Sequence, residues 1–211
     1  MTTLAHGLIR YFSAEQLARL GEVTVGIVGA GGLGSNIAVM LVRSGIKRLT
    51  IVDHDVVEAS NLNRQAYLPT DVGTPKVLAL SWHLQMLEPE VKVAAFQTEA
   101  TRENAATLFA ACPVMVEAVD GAATKAMLYE AFAASKELYV TASGMCGFGE
   151  TEPMRILRPR ENVVAVGDFT TGFDADHPPL APRVMQAAAM QADAVLAHVL
   201  SRHKHSCHGL S

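Results

Sequence analysis

Residues 23–34 read VTVGIVGAGGLG. The first seven are apolar and β-branched without a polar break, the composition of a strand buried on both faces. The run ends on Gly29, and Gly31 and Gly34 complete a GxGxxG spacing with Gly32 inside it. Residues 33–44 then read as a helix that closes at Gly45. The spacing has physical meaning in this strand–turn–helix context. Glycine permits the tight turn and lets backbone N–H groups approach a phosphate with no Cβ in the way, and the helix N-terminus adds positive potential. The same turn also reads as one that merely allows close packing of strand on helix.

Working outward, residues 49–53 (LTIVD) form a second strand ending on Asp53, where an acid can hydrogen-bond ribose hydroxyls. A helix over 76–87 follows, with Pro75 suited to its first turn. Strands are predicted at 91–96, 114–119 and 138–142, and helices at 102–111 and 122–135. This alternation predicts an α/β fold: a doubly wound, Rossmann-like, mostly parallel sheet with helices on both faces. Beyond residue 147 the pattern changes. Residues 154–157 and 162–166 read as an antiparallel extension, 167–182 as a polar loop, and 184–201 as a long final helix packed on the sheet. Residues 1–211 make one domain, with 202–211 (RHKHSCHGLS) a flexible tail. His203, His205, Cys207 and His208 in that tail admit a metal, but a tail lacks preorganised ligand geometry.

Half of the 211 residues are hydrophobic and 18% are charged, which places the chain among globular rather than disordered sequences. A net charge of -4 and no polybasic run argue against a general nucleic-acid binder. The N-terminal stretch has neither a secretory leader's pattern nor a spanning segment's, and no other run is long and apolar enough to cross a membrane. Cys112, Cys146 and Cys207 form no CxxC pair, so no zinc site is expected, and sparse thiols fit a reducing cytoplasm.

The glycine turn and Asp53 alone suggest a nucleotide-binding domain with NAD as the default ligand. The next residues shift that reading. Asn61, Asn63, Arg64 and Gln65 cluster in a loop at the carboxyl end of the sheet, and Lys76 opens the next helix. A triphosphate carries about two more negative charges than a pyrophosphate diester, so it needs cations aimed at it. Arg64 supplies a planar fork and Lys76 a point charge. Asp120, ending the fourth strand at the same edge, suits Mg2+, which keeps waters and takes one or two carboxylates. Each residue alone also has a plainer reading: Arg64 and Lys76 as solvated charges, Asp120 as a helix cap.

GAGGLGS at residues 29–35, the D-x-D-x-V-x-x-S-N-L-N-R-Q run over 53–65 and G-x-x-K ending at Lys76 resemble the superfamily of ubiquitin-activating enzymes, MoeB and ThiF. Residues 20–145 carry the resemblance most closely. The short length, SGIKRLTIVDHDVVEASNLNRQAY and APRVMQAAAMQA resemble compact ThiF members, which adenylate the sulfur carrier of thiamine biosynthesis. The resemblance implies ATP and Mg2+ as cofactors and, as partner, a small ubiquitin-like carrier with a C-terminal Gly-Gly. It implies adenylation of that carrier's C-terminal carboxylate by a cytoplasmic homodimer, with no membrane or nucleic acid involved. It assigns Asp53 to the ribose, Gly29, Gly31, Gly32 and Gly34 to the nucleotide turn, Asn61, Arg64 and Lys76 to the phosphates, and Asp120 to the metal. Arg10 is implied as an arginine that reaches into the neighbouring subunit's ATP site. The chain departs from many relatives in lacking a CxxC…CxxC zinc site and a cysteine in the 167–182 loop. It also has Asp120-Gly121 and then Lys125 where Asp-Asn and an arginine are common.

Three other readings remain at this point: an enzyme that adenylates and dehydrates threonylcarbamoyladenosine in tRNA, an NAD-dependent oxidoreductase, and an ATP-binding partner protein without catalysis.

Overall fold

A computed structural model describes residues 2–149 and 152–201, so the sequence expectations for 202–211 lie outside the described residues. In chain order the elements are α1 (Thr3–Leu8), α2 (Ala14–Glu22), β1 (Thr24–Val28), α3 (Gly32–Arg43), β2 (Arg48–Val52), α4 (Lys76–Leu87), β3 (Lys92–Phe96) and α5 (Ala105–Leu108). They continue with β4 (Val114–Glu117), α6 (Ala122–Phe132), β5 (Leu138–Ala142), β6 (Arg155–Arg160), β7 (Val163–Gly167) and α7 (Ala181–Ser201).

One seven-stranded sheet runs in the order β3-β2-β1-β4-β5-β7-β6. The chain winds one way from β1 through β2 to β3, then crosses back to β4 beside β1. The crevice where the two directions part, at the carboxyl ends of β1 and β4, is where doubly wound sheets bind ligands. Gly29 lies there with φ +93, and a Cβ on it would sit 2.6 Å from the Ala118 carbonyl oxygen. One turn on, a Cβ at Gly34 would meet the Gly29 carbonyl oxygen at 1.8 Å. Strand and helix can close only around hydrogen at both positions.

The expected α/β architecture is observed, including the antiparallel extension: β6 and β7 pair antiparallel with each other, and β7 joins the sheet by pairing parallel with β5. The final helix starts at Ala181 because Pro182, lacking an N–H, is tolerated in a first turn.

The helix expected over 102–111 shrinks to Ala105–Leu108. The Asn104 side chain is drawn out of helical geometry: its Oδ1 accepts from Thr101 N at 2.8 Å and its Nδ2 donates to Glu99 O at 2.9 Å. The helix over 122–135 ends at Phe132, and the hydroxyl of Ser135 turns back to Ala131 O at 3.1 Å.

The larger core lies on the face covered by α3, α4 and α7, built on Val25, Ile27, Ile37, Leu41, Leu80 and Val195. A smaller one under α5 and α6 stacks Phe109 edge-on against Phe132. The N-terminal pair α1 and α2 packs at the amino edge of the sheet. Leu8 and Leu20 bracket Gly45, and Thr2 donates to Glu88 Oε2 at 2.5 Å. Among the described residues no helix is long and apolar enough to cross a membrane.

Candidate nucleotide site

Gly31 caps α3 without a side-chain hydrogen bond, so the amides of the first turn point into the crevice. Asp53 fixes the turn that presents them. Its Oδ2 accepts from Ala30 N at 2.6 Å and its Oδ1 from Asp55 N at 2.8 Å. The carbonyl of Ala30 is held as well. The buried Tyr67 hydroxyl lies 2.7 Å from Ala30 O, to which it donates, and 3.2 Å from Lys76 O. Burial raises the phenol's pKa well above its ordinary value, so it stays protonated.

Lys76 is the first residue of α4 and is buried, its ammonium 2.7 Å from Asp55 Oδ2. The hydrogen bond from Lys76 lowers the Asp55 pKa, with the ammonium's charge adding to it against the effect of burial. A closed circuit results: Ala30 to Asp53, Asp53 to Asp55, Asp55 to Lys76, and Lys76 through Tyr67 back to Ala30. It welds the start of α4 to the glycine turn and explains why two segments distant in sequence share one edge.

Arg64 arrives from the other side. The aliphatic stem lies over Gly32, with Cγ 3.4 Å from where a Cβ on that glycine would stand. The guanidinium is steered by Ser60 O at 3.2 Å and Asn63 Oδ1 at 2.8 Å. Asn36, buried on α3, donates to both Gly32 O (2.7 Å) and Arg64 O (2.8 Å) and so pins the loop to the helix. Asn61 stays in its own turn, where its Oδ1 accepts from Glu58 N at 3.3 Å. Gln65 is the unexpected member. It is 7% exposed beside Gly31, and its Oε1 is buried with no partner, the state of a group whose partner is a ligand or an ordered water.

Asp120 follows β4 at the same edge. It is exposed, and its carboxylate has no partner among the described residues. One open carboxylate beside a phosphate cradle fits the donor set of Mg2+. Lys125 bonds a buried acid that sequence reasoning passed over. Its ammonium lies 2.8 Å and 3.0 Å from the oxygens of Glu117 and 2.9 Å from Ala142 O. Glu117 also accepts from Val119 N at 2.9 Å and Thr141 Oγ1 at 2.5 Å, which fixes the strand end that precedes Asp120.

Arg10 is not brought to this cluster. It follows α1 at the amino edge, across the sheet from the chain's own glycine turn.

A cavity of about 240 Å³ opens at the carboxyl edge between Gly147, Phe148, Gly149, Leu180, Pro182 and Arg183. Arg183 shapes its wall: Nε donates to Cys146 O at 3.0 Å, and the guanidinium pairs with the buried Asp168. The Asn63 side chain reaches Pro179 O at 3.1 Å, so the cavity adjoins the Arg64 loop. Cys146, half-buried there, has a raised thiol pKa; burial is the main cause, and the nearby Arg64 charge opposes it.

Residues 5–208 match the ThiF family. The chain belongs to that family. A sulfur carrier protein adenylyltransferase of Thermus thermophilus is 40% identical over 118 residues, 56% of this chain and 44% of that protein. A tRNA threonylcarbamoyladenosine dehydratase of Haemophilus influenzae is 32% identical over 154 residues, 71% of this chain and 58% of that protein. The alignments with these ThiF-family relatives thus span about half of their lengths. The E. coli tRNA N6-threonylcarbamoyladenosine dehydratase TcdA, solved with ATP, superposes with a TM-score of 0.84 at 20% identity, covering 93% of each chain. That likeness establishes the ThiF-type fold.

Proposed function

We propose that the chain uses ATP and Mg2+ to adenylate the C-terminal glycine carboxylate of a small ubiquitin-like sulfur-carrier protein, of the type serving thiamine biosynthesis. The carrier's carboxylate oxygen attacks the α-phosphorus of ATP, the bond to the β,γ-pyrophosphate breaks, and an acyl-adenylate and pyrophosphate result. The observation that supports this reading is that the Arg64 stem lies over Gly32 while Lys76 opens the helix tied to the glycine turn through Tyr67 and, by its ammonium, through Asp55. Two anions must be aligned against their repulsion, and charge on the phosphate oxygens must be stabilised. Fixed cations and backbone amides do this without supplying a nucleophile. In this scheme Asp53 holds the ribose, the amides of Gly31, Gly32 and Gly34 with Asn61, Arg64 and Lys76 hold the phosphates, and Asp120 holds Mg2+. The metal's contribution, when bound, is charge neutralisation on the phosphates.

The pathway rests on the likeness of residues 44–67 and 181–192 to compact ThiF members. The carrier as substrate class is supported by the Thermus thermophilus relative. A cytoplasmic homodimer completes the reading, with Arg10 serving a partner's site. A second reading, dehydration of threonylcarbamoyladenosine in tRNA, is favoured by the extent of the Haemophilus influenzae alignment. It begins with the same chemistry, a carboxylate attacking ATP.

Intact-mass spectrometry separates the two. Incubated with ATP and Mg2+, a Gly-Gly-tailed carrier should gain the mass of an adenylyl group. Loss of water from a modified tRNA, with the carrier unchanged, would instead establish the second reading.

A further inference from the structure

Asp120 is exposed at the carboxyl edge, and an acid holds a metal only as well as its own backbone is held. Gly121 caps α6 without a side-chain hydrogen bond, so the Asp120 carboxylate is not spent on the helix it precedes. The backbone on either side of it is anchored instead. Val119 N donates to Glu117 Oε1 at 2.9 Å, and Lys125 N donates to Gly121 O at 2.9 Å. The two anchors are joined to each other, since the Lys125 ammonium lies 2.8 Å and 3.0 Å from the Glu117 oxygens. Residues 117–125 thus close into a ring with Asp120 on its open side.

The ion pair has nothing left to offer a ligand. An ammonium's donors are matched one for one at Lys125, by the two Glu117 oxygens and by Ala142 O at 2.9 Å. The lone pairs of the Glu117 carboxylate are taken up by Val119 N, by Thr141 Oγ1 and by both contacts from Lys125. Glu117 is also buried, and Gln191 on α7 fastens it from behind, with Nε2 donating to Glu117 O at 3.1 Å. A saturated pair of this kind neither ligates a metal nor touches a phosphate. What it governs is where the next acid along the chain stands.

We infer that Glu117 and Lys125 are positioning residues that hold Asp120 in place for the metal. This rests on the reading of Asp120 as the metal's acid and deepens it. The pair ties the ends of β4 and β5 and the first turn of α6 to one point. Breaking it frees the 119–121 turn and leaves the metal's carboxylate on a mobile backbone. None of the pair's hydrogen bonds reaches Arg64, Lys76 or the glycine turn, so binding of nucleotide without metal should persist.

Calorimetric titration of the full chain with a non-hydrolysable ATP analogue, in Mg2+ and again in EDTA, tests this. The ratio of the two affinities is the gain that the metal confers. The wild type should gain at least about 10-fold, and Asp120→Ala and Lys125→Met should each lose most of that gain. Lys125→Arg, which can still pair with the carboxylate, should keep it. Affinity in EDTA should be unchanged in both Lys125 variants. In the Asp120→Ala background Lys125→Met should lower the gain no further, because its effect runs through that carboxylate. Should Lys125→Met fail to fold, Glu117→Leu with Lys125→Met removes both charges together and should fold while losing the gain. A Lys125→Met protein, or that double variant, with the full gain would overturn the inference. So would an equal loss of affinity in EDTA, or a further loss in the Asp120→Ala background. Each of these leaves Asp120 as the metal's acid. A wild type without gain, or Asp120→Ala with the full gain, would overturn the inference together with that assignment. No readout needs a carrier or turnover, so the proposed adenylation stands or falls separately.

Discussion

The ammonium of Lys76 lies 2.7 Å from the carboxylate of Asp55, and the two are the facing ends of one circuit around the glycine turn. Asp55 is half exposed whereas Lys76 is buried, so the acid acts as an open-sided holder for a charge that would otherwise be costly to place there. Asp55→Asn should therefore lower turnover about 10-fold with less than about 3-fold change in the KM for ATP, because a mispositioned cation weakens the transition state more than ground-state binding. Steady-state kinetics checks this; a change confined to KM would reassign Asp55 to binding.

Arg64→Ala and Lys76→Ala should each reduce adenylation by about 100-fold or more while the fold persists, since both would act on charge that develops in the reaction. Pyrophosphate exchange alongside circular dichroism gives the answer. A variant with near-normal exchange removes its residue from the phosphate site.

Gln65 offers a test that needs no turnover. Replacing an amide whose buried Oε1 lacks a partner with an apolar residue of similar length should be close to neutral, so Gln65→Met should keep the ligand-free stability within about 0.5 kcal/mol. The stabilisation that saturating ATP confers should fall by about 1 kcal/mol. Thermal melts with and without ATP report both. A variant destabilised equally in both conditions would make Gln65 a packing residue.

The site was only partly legible in the sequence, for physical reasons. The glycine turn is local, so its strand, helix and acid could all be read in place. Asp55 could not, because nothing in the spacing says that the start of α4 folds back onto a residue two positions past Asp53. Glu117 reads as one more strand residue until Lys125 and Thr141 are seen to converge on it. The antiparallel extension was legible, since the two strands at 155–160 and 163–167 pair antiparallel with each other. Hydrophobic pattern did not say which strand the extension would join, and that is β5, in parallel. The helix α2 had a usable signal that went unread: Ser13 and Gln16 form a capping box, with Gln16 N donating to Ser13 Oγ and Ser13 N to Gln16 Oε1.

The buried pair of Asp168 and Arg183 gives a prediction of pH dependence. Burial alone would raise the Asp168 pKa, but hydrogen bonds from the Thr171 and Thr170 amides outweigh it and hold it down at about 2. A depressed carboxyl pKa contributes stability that is complete above the ordinary value of 3.8 and is lost as pH falls toward 2. Urea unfolding of the wild type should show that loss between those limits. Asp168→Asn should be less stable by about 3 kcal/mol at neutral pH and should show less of the acid-dependent loss. Equal acid sensitivity in both proteins would exclude Asp168 as its source.

Of the two described thiols, Cys146 is the one beside the cluster, and burial raises its pKa, the opposite of what a sulfur-transferring thiolate needs. Cys146→Ser should keep both adenylation and thiocarboxylate formation from an external sulfur source. Loss of the thiocarboxylate alone would show that this thiol carries sulfur.

The central claim is that the substrate is a protein carboxylate activated by ATP. Its most direct test is pyrophosphate release by the full chain with ATP and Mg2+, measured with a Gly-Gly-tailed carrier and again with the same carrier lacking its last two residues. Release that appears with the intact tail and vanishes with the truncated one is the predicted result. Release indifferent to the tail, or no release with any carrier despite ATP binding, would contradict it.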